Sequence, residues 1–400
     1  MSALAPVVDR RIIDEFIDVV GAARWATRLR AIERQAALGP RAGKAVLRRH
    51  AVECTLERLR RGARPSVLEW RIGLLAGEAA ALAGDLSARG RARWRRILLA
   101  ALTDENTLIP AFHLIRTAAV HRARGFAVQF AGIEEAANFD LLLVRGGVEV
   151  ELACDVISAE DGRSVHRGAW FRLADRIDPD LQTWLAAHPG RYLLKMTLPA
   201  GLRTGSEHDG EGELARLHAR ISRLLAESRR TDHDEALVLR LDPLLLAGAQ
   251  ADDVMISSLR REFGPEAHLA VVAAGGGVFV LAARAGREND VAAAVRRRMA
   301  AIAPARLSGT RPGILAMFIE DTDREEWRGL RERLELEGEA RQFLTYPAAR
   351  AVVAVTCTSR LELFGAAEPD AAAAGEVRFR NPAHPAARLA ALAPAVLSSI

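Results

Sequence analysis

Apolar residues recur at helical spacing through the first hundred residues, and this spacing predicts a helical region. In RRIIDEFIDVVGAARWATRLRAIERQAAL (10–38) the apolar positions fall on one side of a helix, and Gly39 with Pro40 ends the run. The segments KAVLRRHAVECTLERLRRG and SVLEWRIGLLAGEAAALAGDL repeat the pattern, and a glycine or a turn closes each of them. Residues 1–100 are therefore expected to form a helical accessory region.

From about residue 104 the pattern alternates between helices and short strands. DENTLIPAFHLIRTAAVHRAR predicts a helix, and FAVQFAG, NFDLLLV and VEVELACDVIS predict three strands, the last two joined by an RGG turn. DGRSVHRGAWFRLADRI then predicts a helix and RYLLKMTL a strand. The order over residues 101–204 is thus helix, three strands, helix, strand.

The rest of the chain, residues 205–400, mixes helical and strand patterns and predicts an α/β extension. PDAAAAG (369–375) has the composition of a surface turn, and the last twenty residues are expected to be a tail. The whole chain is accordingly assigned to the α/β class, with a helical region, an α/β core and a mixed extension.

Composition narrows the class of protein without naming an activity. The chain of 400 residues has a net charge of +5, which permits contact with nucleic acid but does not require it. All but two of its 56 basic residues are arginine, a bias typical of bacterial-type genome composition rather than of phosphate recognition. The three cysteines stand apart, and no apolar run approaches the length of a membrane span. We expect a reduced, cytoplasmic protein without a membrane segment.

Acidic residues interrupt the two strands of the predicted hairpin. Residues two apart on a strand share a face, so Glu149, Glu151 and Asp155 project together. A hairpin through the RGG turn would place Asp140 near Ala153 and Cys154, so that Asp140, Glu151 and Asp155 could converge. Carboxylates so placed repel one another unless a basic residue or a cation such as Mg²⁺ or Mn²⁺ lies among them. The alternative is a half-exposed strand with an ordinary polar outer face.

This arrangement resembles the core of the PD-(D/E)XK nuclease superfamily, over about residues 104 to 200. VEVELACDVISAEDGRSVHR is similar to a form of the family motif in which EVECK is followed by a helix that starts Gly-Arg-x-x-His-Arg. The resemblance implies a restriction-endonuclease-like αβββαβ core and Mg²⁺-dependent phosphodiester hydrolysis of nucleic acid. In that chemistry an Asp and a Glu hold the metal, and a Lys orients or deprotonates the attacking water.

The chain departs from the motif at its catalytic positions. Alignment backwards from Gly162 without a gap puts Ala153 in place of the Glu and Asp155 in place of the Lys. A two-residue shift instead makes Glu151 the acid and leaves Ala153 in place of the Lys. Only Asp140 matches the family in both alignments.

Other residues supply candidates for the missing cation and for substrate contacts. Lys195 on the following strand is the candidate catalytic cation, and Arg163, His166 and Arg167 at the helix start are candidate phosphate contacts. Asp140, Glu151 and Asp155 are then the candidate catalytic acids and Mg²⁺ ligands. Each of the basic residues has a structural alternative, as surface at a helix start or, for Lys195, as a side chain at a sheet edge.

One further segment, LSGTRPG (307–313), carries hydroxyl and guanidinium groups ahead of an apolar strand. Ser308, Thr310 and Arg311 would bind a phosphate or a carboxylate, or else satisfy backbone groups within a simple turn, which the composition favours.

Two functional hypotheses follow. The chain is either a Mg²⁺-dependent nuclease, or a catalytically inactive nuclease-fold module that binds nucleic acid or a protein partner. Geometry separates them, because an Asp140 that pairs with an arginine argues against the enzyme.

Overall fold

The helical pattern of the first hundred residues folds as predicted. The computed structural model describes residues 9–203, 209–244, 268–360 and 376–397. The helices of this region are α1 (Arg10–Val20), α2 (Ala22–Ala36), α3 (Pro40–Arg49), α4 (Ala51–Arg60), α5 (Val67–Asp85) and α6 (Ala88–Ala101). Local chemistry fixes their starts: the Asp9 side chain accepts from the Arg11 N–H, and Ser66 with Glu69 forms a capping box at α5.

The chain divides into two units that are discontinuous in sequence. The first comprises residues 1–32, 49–161 and 292–400, and the second comprises residues 33–48 and 162–291. The predicted core region 101–204 therefore contributes residues 101–161 to the first unit and residues 162–204 to the second.

A mixed six-stranded sheet forms the centre of the first unit, in the order β1-β2-β3-β9-β10-β11. Its strands are β1 (Ala127–Gln129), β2 (Leu141–Arg145), β3 (Val148–Ser158), β9 (Gly313–Glu320), β10 (Val352–Ser359) and β11 (Val377–Arg380). Strands β1, β2 and β3 pair antiparallel, β3, β9 and β10 pair parallel, and β11 is antiparallel to β10. Every residue of β9 and β10 is buried, as expected of strands with largely apolar sequences that are covered on both faces.

Helices cover both faces of this sheet. They are α7 (Ile109–Ala123), α8 (Ala131–Glu134), α11 (Val291–Arg306), α12 (Arg324–Glu332), α13 (Glu335–Phe343) and α14 (Ala393–Val396). The buried residues of α7 pack with Val150 and Leu152 of β3, and α11 supplies the arginine that pairs with Asp155. Because alternate residues of a strand project to opposite faces, α7 and α11 lie on opposite sides of the sheet.

The second unit has its own sheet, in the order β5-β6-β4-β8-β7. Its strands are β4 (Arg191–Leu198), β5 (Thr231–His233), β6 (Val238–Pro243), β7 (His268–Ala274) and β8 (Gly277–Ala285), and its long helices are α9 (Arg167–Ala187) and α10 (Asp209–Ala226). Trp170, Leu173 and Ile177 of α9 are buried in the core of this unit.

The expected place of the fourth core strand is wrong. The sequence predicts that the helix and strand after β3 complete the same sheet, but these elements, α9 and β4, belong to the second unit. The partner of β3 is β9, with Leu152 opposite Ile314 and Ser158 opposite Glu320. Strand β4 instead lies between β6 and β8. The chain is α/β, and its αβββαβ order over 101–204 does not form a single sheet.

The C-terminal segment is not a tail over its described part. After β11, residues 385–388 and 390–392 form short 3₁₀ helices that lead into α14. Leu392, Ala395 and Val396 are fully buried in the core of the first unit. The PDAAAAG segment lies outside the described residues. No helix in the described ranges is both long and apolar enough to cross a membrane.

Aromatic packing joins α1, α2 and α7 in the first unit. The Phe16 ring meets the rings of Trp25 and Phe112 edge-on, with centroids 6.2 Å and 5.9 Å away. All three side chains are buried. Such edge-to-face contacts add to the burial of apolar area, so this trio is a principal packing contact between the helices and the rest of the core.

We predict that Phe112→Ala lowers the free energy of unfolding by about 3 to 5 kcal/mol, because it leaves a cavity beside Phe16. Leu74→Ala is the control, since Leu74 is partly exposed on α5 of the same unit, and its expected cost is below about 1 kcal/mol. Urea unfolding followed by circular dichroism measures both. Equal costs for the two variants would contradict the packing role of the trio.

Candidate functional site

Asp140 stands immediately before β2 and faces β3, as the hairpin predicts. Its backbone N–H donates to the Leu152 carbonyl, and its carboxylate accepts the Cys154 N–H at 2.7 Å. The same carboxylate oxygen accepts from Nη2 of Arg306, also at 2.7 Å. Burial raises the pKa of Asp140, and the Arg306 guanidinium opposes that rise. Asp140 is therefore held by one backbone donor and one arginine.

Glu151 is fully buried on β3 and is bound by the LSGTRPG turn. Its carboxylate accepts the Ser308 N–H at 2.8 Å and the Ser308 hydroxyl at 2.6 Å. Nη1 of Arg311 lies 3.4 Å from the same carboxylate, and Arg311 also binds Glu149 through Nε at 2.7 Å. The carboxylate that this segment contacts therefore belongs to the protein itself. Thr310 donates its N–H to the Ser308 hydroxyl, so the local turn is present as well.

Asp155 is paired with Arg298 of α11. The guanidinium donates from both Nε and Nη2, the latter at 2.9 Å, and this two-point contact fixes its plane against the carboxylate. The pairing raises the pKa of Arg298. Asp155, which only the ungapped alignment with the nuclease motif puts at the lysine position, is an acid, and its cation comes from another element.

These contacts are three sets of ion pairs along the β2–β3 hairpin, which we call together the acid-arginine cluster: Asp140, Glu149, Glu151, Asp155, Arg298, Arg306 and Arg311. Four carboxylates face three guanidinium groups, so the cluster is close to electrically balanced without a metal ion. Ala153, which replaces the family Glu in the ungapped alignment, is fully buried and offers no oxygen. Within the described ranges, no three His, Cys, Asp or Glu side chains are placed to hold a metal ion together.

The predicted basic residues lie in the second unit. Lys195 is on the interior strand β4, not at a sheet edge, and its Nζ is 3.2 Å from the Asp242 carboxylate. The backbone N–H of His166 donates to the Leu202 carbonyl just before α9, which begins at Arg167, and Arg163 is buried. Arg163, His166, Arg167 and Lys195 thus belong to a different unit from the acids that they were expected to serve.

Two of the three arginines of the cluster, Arg298 and Arg306, were missed by the sequence interpretation. Arg298 and Arg306 lie 143 and 166 residues from their partners in sequence, in a segment interpreted only as a helix. In a chain whose basic residues are nearly all arginine, these two carry no distinguishing mark. The available signal was the surplus of acidic residues on the hairpin, which indicated that basic residues from another part of the chain, or a metal ion, pair with them.

A second polar group lies where the parallel strands β3, β9 and β10 end. Glu320 accepts from Nη2 of Arg360 at 3.0 Å, and the Thr107 hydroxyl lies 3.4 Å from the same oxygen. The Ser158 hydroxyl donates to Asp321 at 2.7 Å. Burial and the Asp321 carboxylate raise the pKa of Glu320 to about 7, despite the Arg360 guanidinium. Carboxyl ends of parallel strands are the usual place for polar side chains in open α/β sheets.

We predict that Arg306→Gln destabilises the protein by roughly 2 kcal/mol at pH 8, because it leaves a partly buried carboxylate with one backbone donor. Loss of the cation raises the pKa of Asp140 further, so the folded state retains a proton that the unfolded state has lost. Stability of the variant should therefore fall more steeply than that of the wild type as pH rises above about 4.

The control for this pair is the double variant Asp140→Asn with Arg306→Gln, which removes the charge that Arg306 balances. Urea unfolding at pH 5 and pH 8 should find the double variant more stable at pH 8 than Arg306→Gln alone. Additive costs for the two single changes would show that the two side chains are not coupled.

We predict that Glu320 makes the wild type less stable as pH rises. Its pKa in the folded state is above the ordinary 4.5, so the folded state binds the proton more tightly. Stability is then lost between about pH 4.5 and pH 7, by roughly 3 kcal/mol in total. Glu320→Gln should remove this slope, whereas the same change at the exposed Glu325 should not. Parallel pH profiles for wild type and Glu320→Gln would contradict the assignment.

Comparison with known proteins gives no relative: no family model matches the chain, and neither a curated protein nor a solved structure shows significant similarity to it.

Proposed function

We propose that the first unit is a restriction-endonuclease-like module that has lost metal-dependent catalysis and acts by binding nucleic acid or a protein partner. The observation that carries the proposal is the acid-arginine cluster. Carboxylates at the positions where the family holds a metal ion accept hydrogen bonds from guanidinium groups and backbone amides instead.

The topology of the first unit supports the family part of the proposal. Helix α7, strands β1 to β3, helix α11 and strand β9 follow one another in the order αβββαβ, with residues 162–291 inserted between β3 and α11. Strands β1, β2 and β3 are antiparallel and the fourth strand is parallel to β3. In this arrangement the last helix and strand of the expected core are α11 and β9 in residues 291–320, instead of α9 and β4 in residues 163–198.

The residues of the cluster do not fit a bound Mg²⁺. This ion takes oxygen ligands in a strict octahedral arrangement, usually from one or two carboxylates together with water. The Asp140 oxygen nearest β3 already accepts from Cys154 and Arg306, and both oxygens of Glu151 accept from Ser308. A divalent cation added beside Arg298 and Arg306 would also be repelled by their charges.

The catalytic positions support the loss of hydrolysis independently of the metal. The ungapped alignment puts Ala153 and Asp155 where the family has Glu and Lys, and Asp155 carries the opposite charge from a lysine. Arg298 brings a positive charge beside Asp155. Both of its donor atoms that face the site, however, are used in the two-point contact with the Asp155 carboxylate. An arginine stays protonated at neutral pH and does not take a proton from water.

We expect no metal-dependent cleavage by the full chain. The measurement uses single-stranded and double-stranded DNA and RNA at pH 7.5 with Mg²⁺ or Mn²⁺, and the wild type should cleave no faster than Asp140→Ala. Cleavage by the wild type that Asp140→Ala abolishes, with unchanged circular dichroism, would favour the Mg²⁺-dependent nuclease and overturn the proposal.

Metal binding gives a second test of the same proposal. If arginines replace the charge of a metal ion, removing them should create affinity for one. Calorimetric titration with Mn²⁺ should find tighter binding to Arg298→Gln/Arg306→Gln than to the wild type, and Arg350→Gln, an exposed arginine of the same unit, is the control. Equal binding to all three proteins would contradict charge replacement by the cluster.

A further inference from the structure

Helix α6 presents an arginine-rich face with no acidic residue on the helix. Its sequence, ARGRARWRRILLAA, contains five arginines and neither Asp nor Glu. Gly90, Trp94, Leu98 and Ala101 are its buried residues and follow one side of the helix. The arginines occupy the remaining sides, and Arg89, Arg91, Arg95 and Arg96 are exposed. We call these four side chains the α6 arginine face.

The charges of this face are not neutralised by neighbouring side chains. In the part of the chain that the structure describes, no ion pair engages any of the four arginines, and Arg91 only approaches the Leu86 carbonyl, at 3.4 Å. Helix α4 shows the opposite case, since Arg58 pairs with Glu69 while Arg60 and Arg61 pair with Glu57. Arginine content is therefore common in the region, but unpaired arginine on one exposed face distinguishes α6 from α4.

The helix that carries this face is firmly held. Trp94 is fully buried, and its indole N–H donates to the Ala79 carbonyl at 2.9 Å. Ser87 caps the helix by accepting the Gly90 N–H, and the Ser87 N–H donates to Glu134 at 2.8 Å. Arg93 donates to the carbonyls of residues 133 and 134. The backbone positions of the four exposed arginines are thus fixed before any ligand arrives.

The surroundings of the face favour phosphate over a membrane surface or a protein interface. Guanidinium groups form two-point contacts with phosphate as well as carboxylate oxygens, as Arg298 does with Asp155, and they remain charged at every physiological pH. A membrane-bound helix needs a free apolar face, but the apolar side of α6 is buried and Ile97 is its one large exposed apolar side chain, at 40 %. A protein interface needs buried aromatic or apolar anchors, and Ile97 alone does not provide them.

We infer that the α6 arginine face binds the phosphate backbone of nucleic acid, without reading its sequence. Contacts of this kind release counterions, so affinity depends strongly on salt concentration. The inference goes beyond the proposed loss of catalysis, because it uses residues outside the acid-arginine cluster and names a surface and the chemistry of its partner. It would hold for an active or an inactive core.

The test is binding of the full chain to a fluorescein-labelled 20-base-pair DNA duplex and to the corresponding single strand, followed by fluorescence anisotropy at 50 and 200 mM salt. We compare the wild type with the fourfold variant Arg89→Gln/Arg91→Gln/Arg95→Gln/Arg96→Gln. The variant should bind both probes at least tenfold more weakly at 50 mM salt. The slope of log affinity against log salt should be shallower by about 3 to 4 on the duplex.

The matched control removes the same net charge from the same unit. Arg328→Gln/Arg333→Gln/Arg341→Gln/Arg350→Gln changes exposed positions on α12, on α13 and near them, where Arg328, Arg333 and Arg341 already pair with glutamates. It should keep affinity within about threefold of the wild type. Equal losses of DNA affinity in the two fourfold variants would show that affinity depends only on the net charge of the protein, and would overturn the inference.

Two further measurements keep the outcome decisive. Arg95→Glu/Arg96→Glu reverses charge at two exposed positions and should abolish binding if its circular dichroism and melting temperature match the wild type.

Vesicles of phosphatidylcholine with phosphatidylserine test the membrane alternative. Binding of the wild type to vesicles but to neither DNA probe would overturn the inference. If the wild type binds DNA through α6 and also cleaves it in a metal-dependent way, only the proposed loss of catalysis is overturned.

Discussion

The parallel pairing of β3 with β9 is the interaction on which the rest of the first unit depends. It sets Ser158 opposite Glu320 and brings the segment before β9 against the acidic hairpin. The turn at 307–312 leads directly into β9. The register of β9 against β3 therefore also places Ser308 beside the buried carboxylate of Glu151. Helix α11 precedes that turn and carries the two arginines that meet Asp140 and Asp155. A different partner for β3 would leave the hairpin acids without cations.

The acid-arginine cluster is an electrostatic solution to a problem that the hairpin creates. Adjacent carboxylates in a partly buried place raise one another's pKa, and either a metal ion or a set of guanidinium groups opposes that rise. The two solutions differ in chemistry, because a metal ion can activate water and an arginine cannot. In this chain Asp155 meets Arg298, and position 153 is an alanine.

Local elements could be predicted from the sequence, and long-range pairing could not. The helices of the first hundred residues, the β2–β3 hairpin and the approach of Asp140 to Cys154 follow from periodicity and turn chemistry over short distances. The strand that pairs with β3 cannot be predicted in this way, because β4 and β9 are both apolar strands that follow a helix and either would satisfy the pattern. The C-terminal residues 392–396 read as a tail because alanine-rich segments show little contrast between buried and exposed sides. The cations Arg298 and Arg306 were hidden by the abundance of arginine.

The insertion of residues 162–291 between the two halves of the β3–β9 pair has a consequence for synthesis of the protein. Strand β3 leaves the ribosome about 150 residues before β9, a delay of roughly 8 to 30 s at ordinary translation rates of about 5 to 20 residues per second. During that interval the edge of β3 that β9 will cover has no partner from its own sheet, and exposed strand edges are templates for association between chains. The charges at Glu149, Glu151 and Asp155 lie along this strand and discourage such association. The acids that later bind arginine thus place charge on this strand before their partners are synthesised.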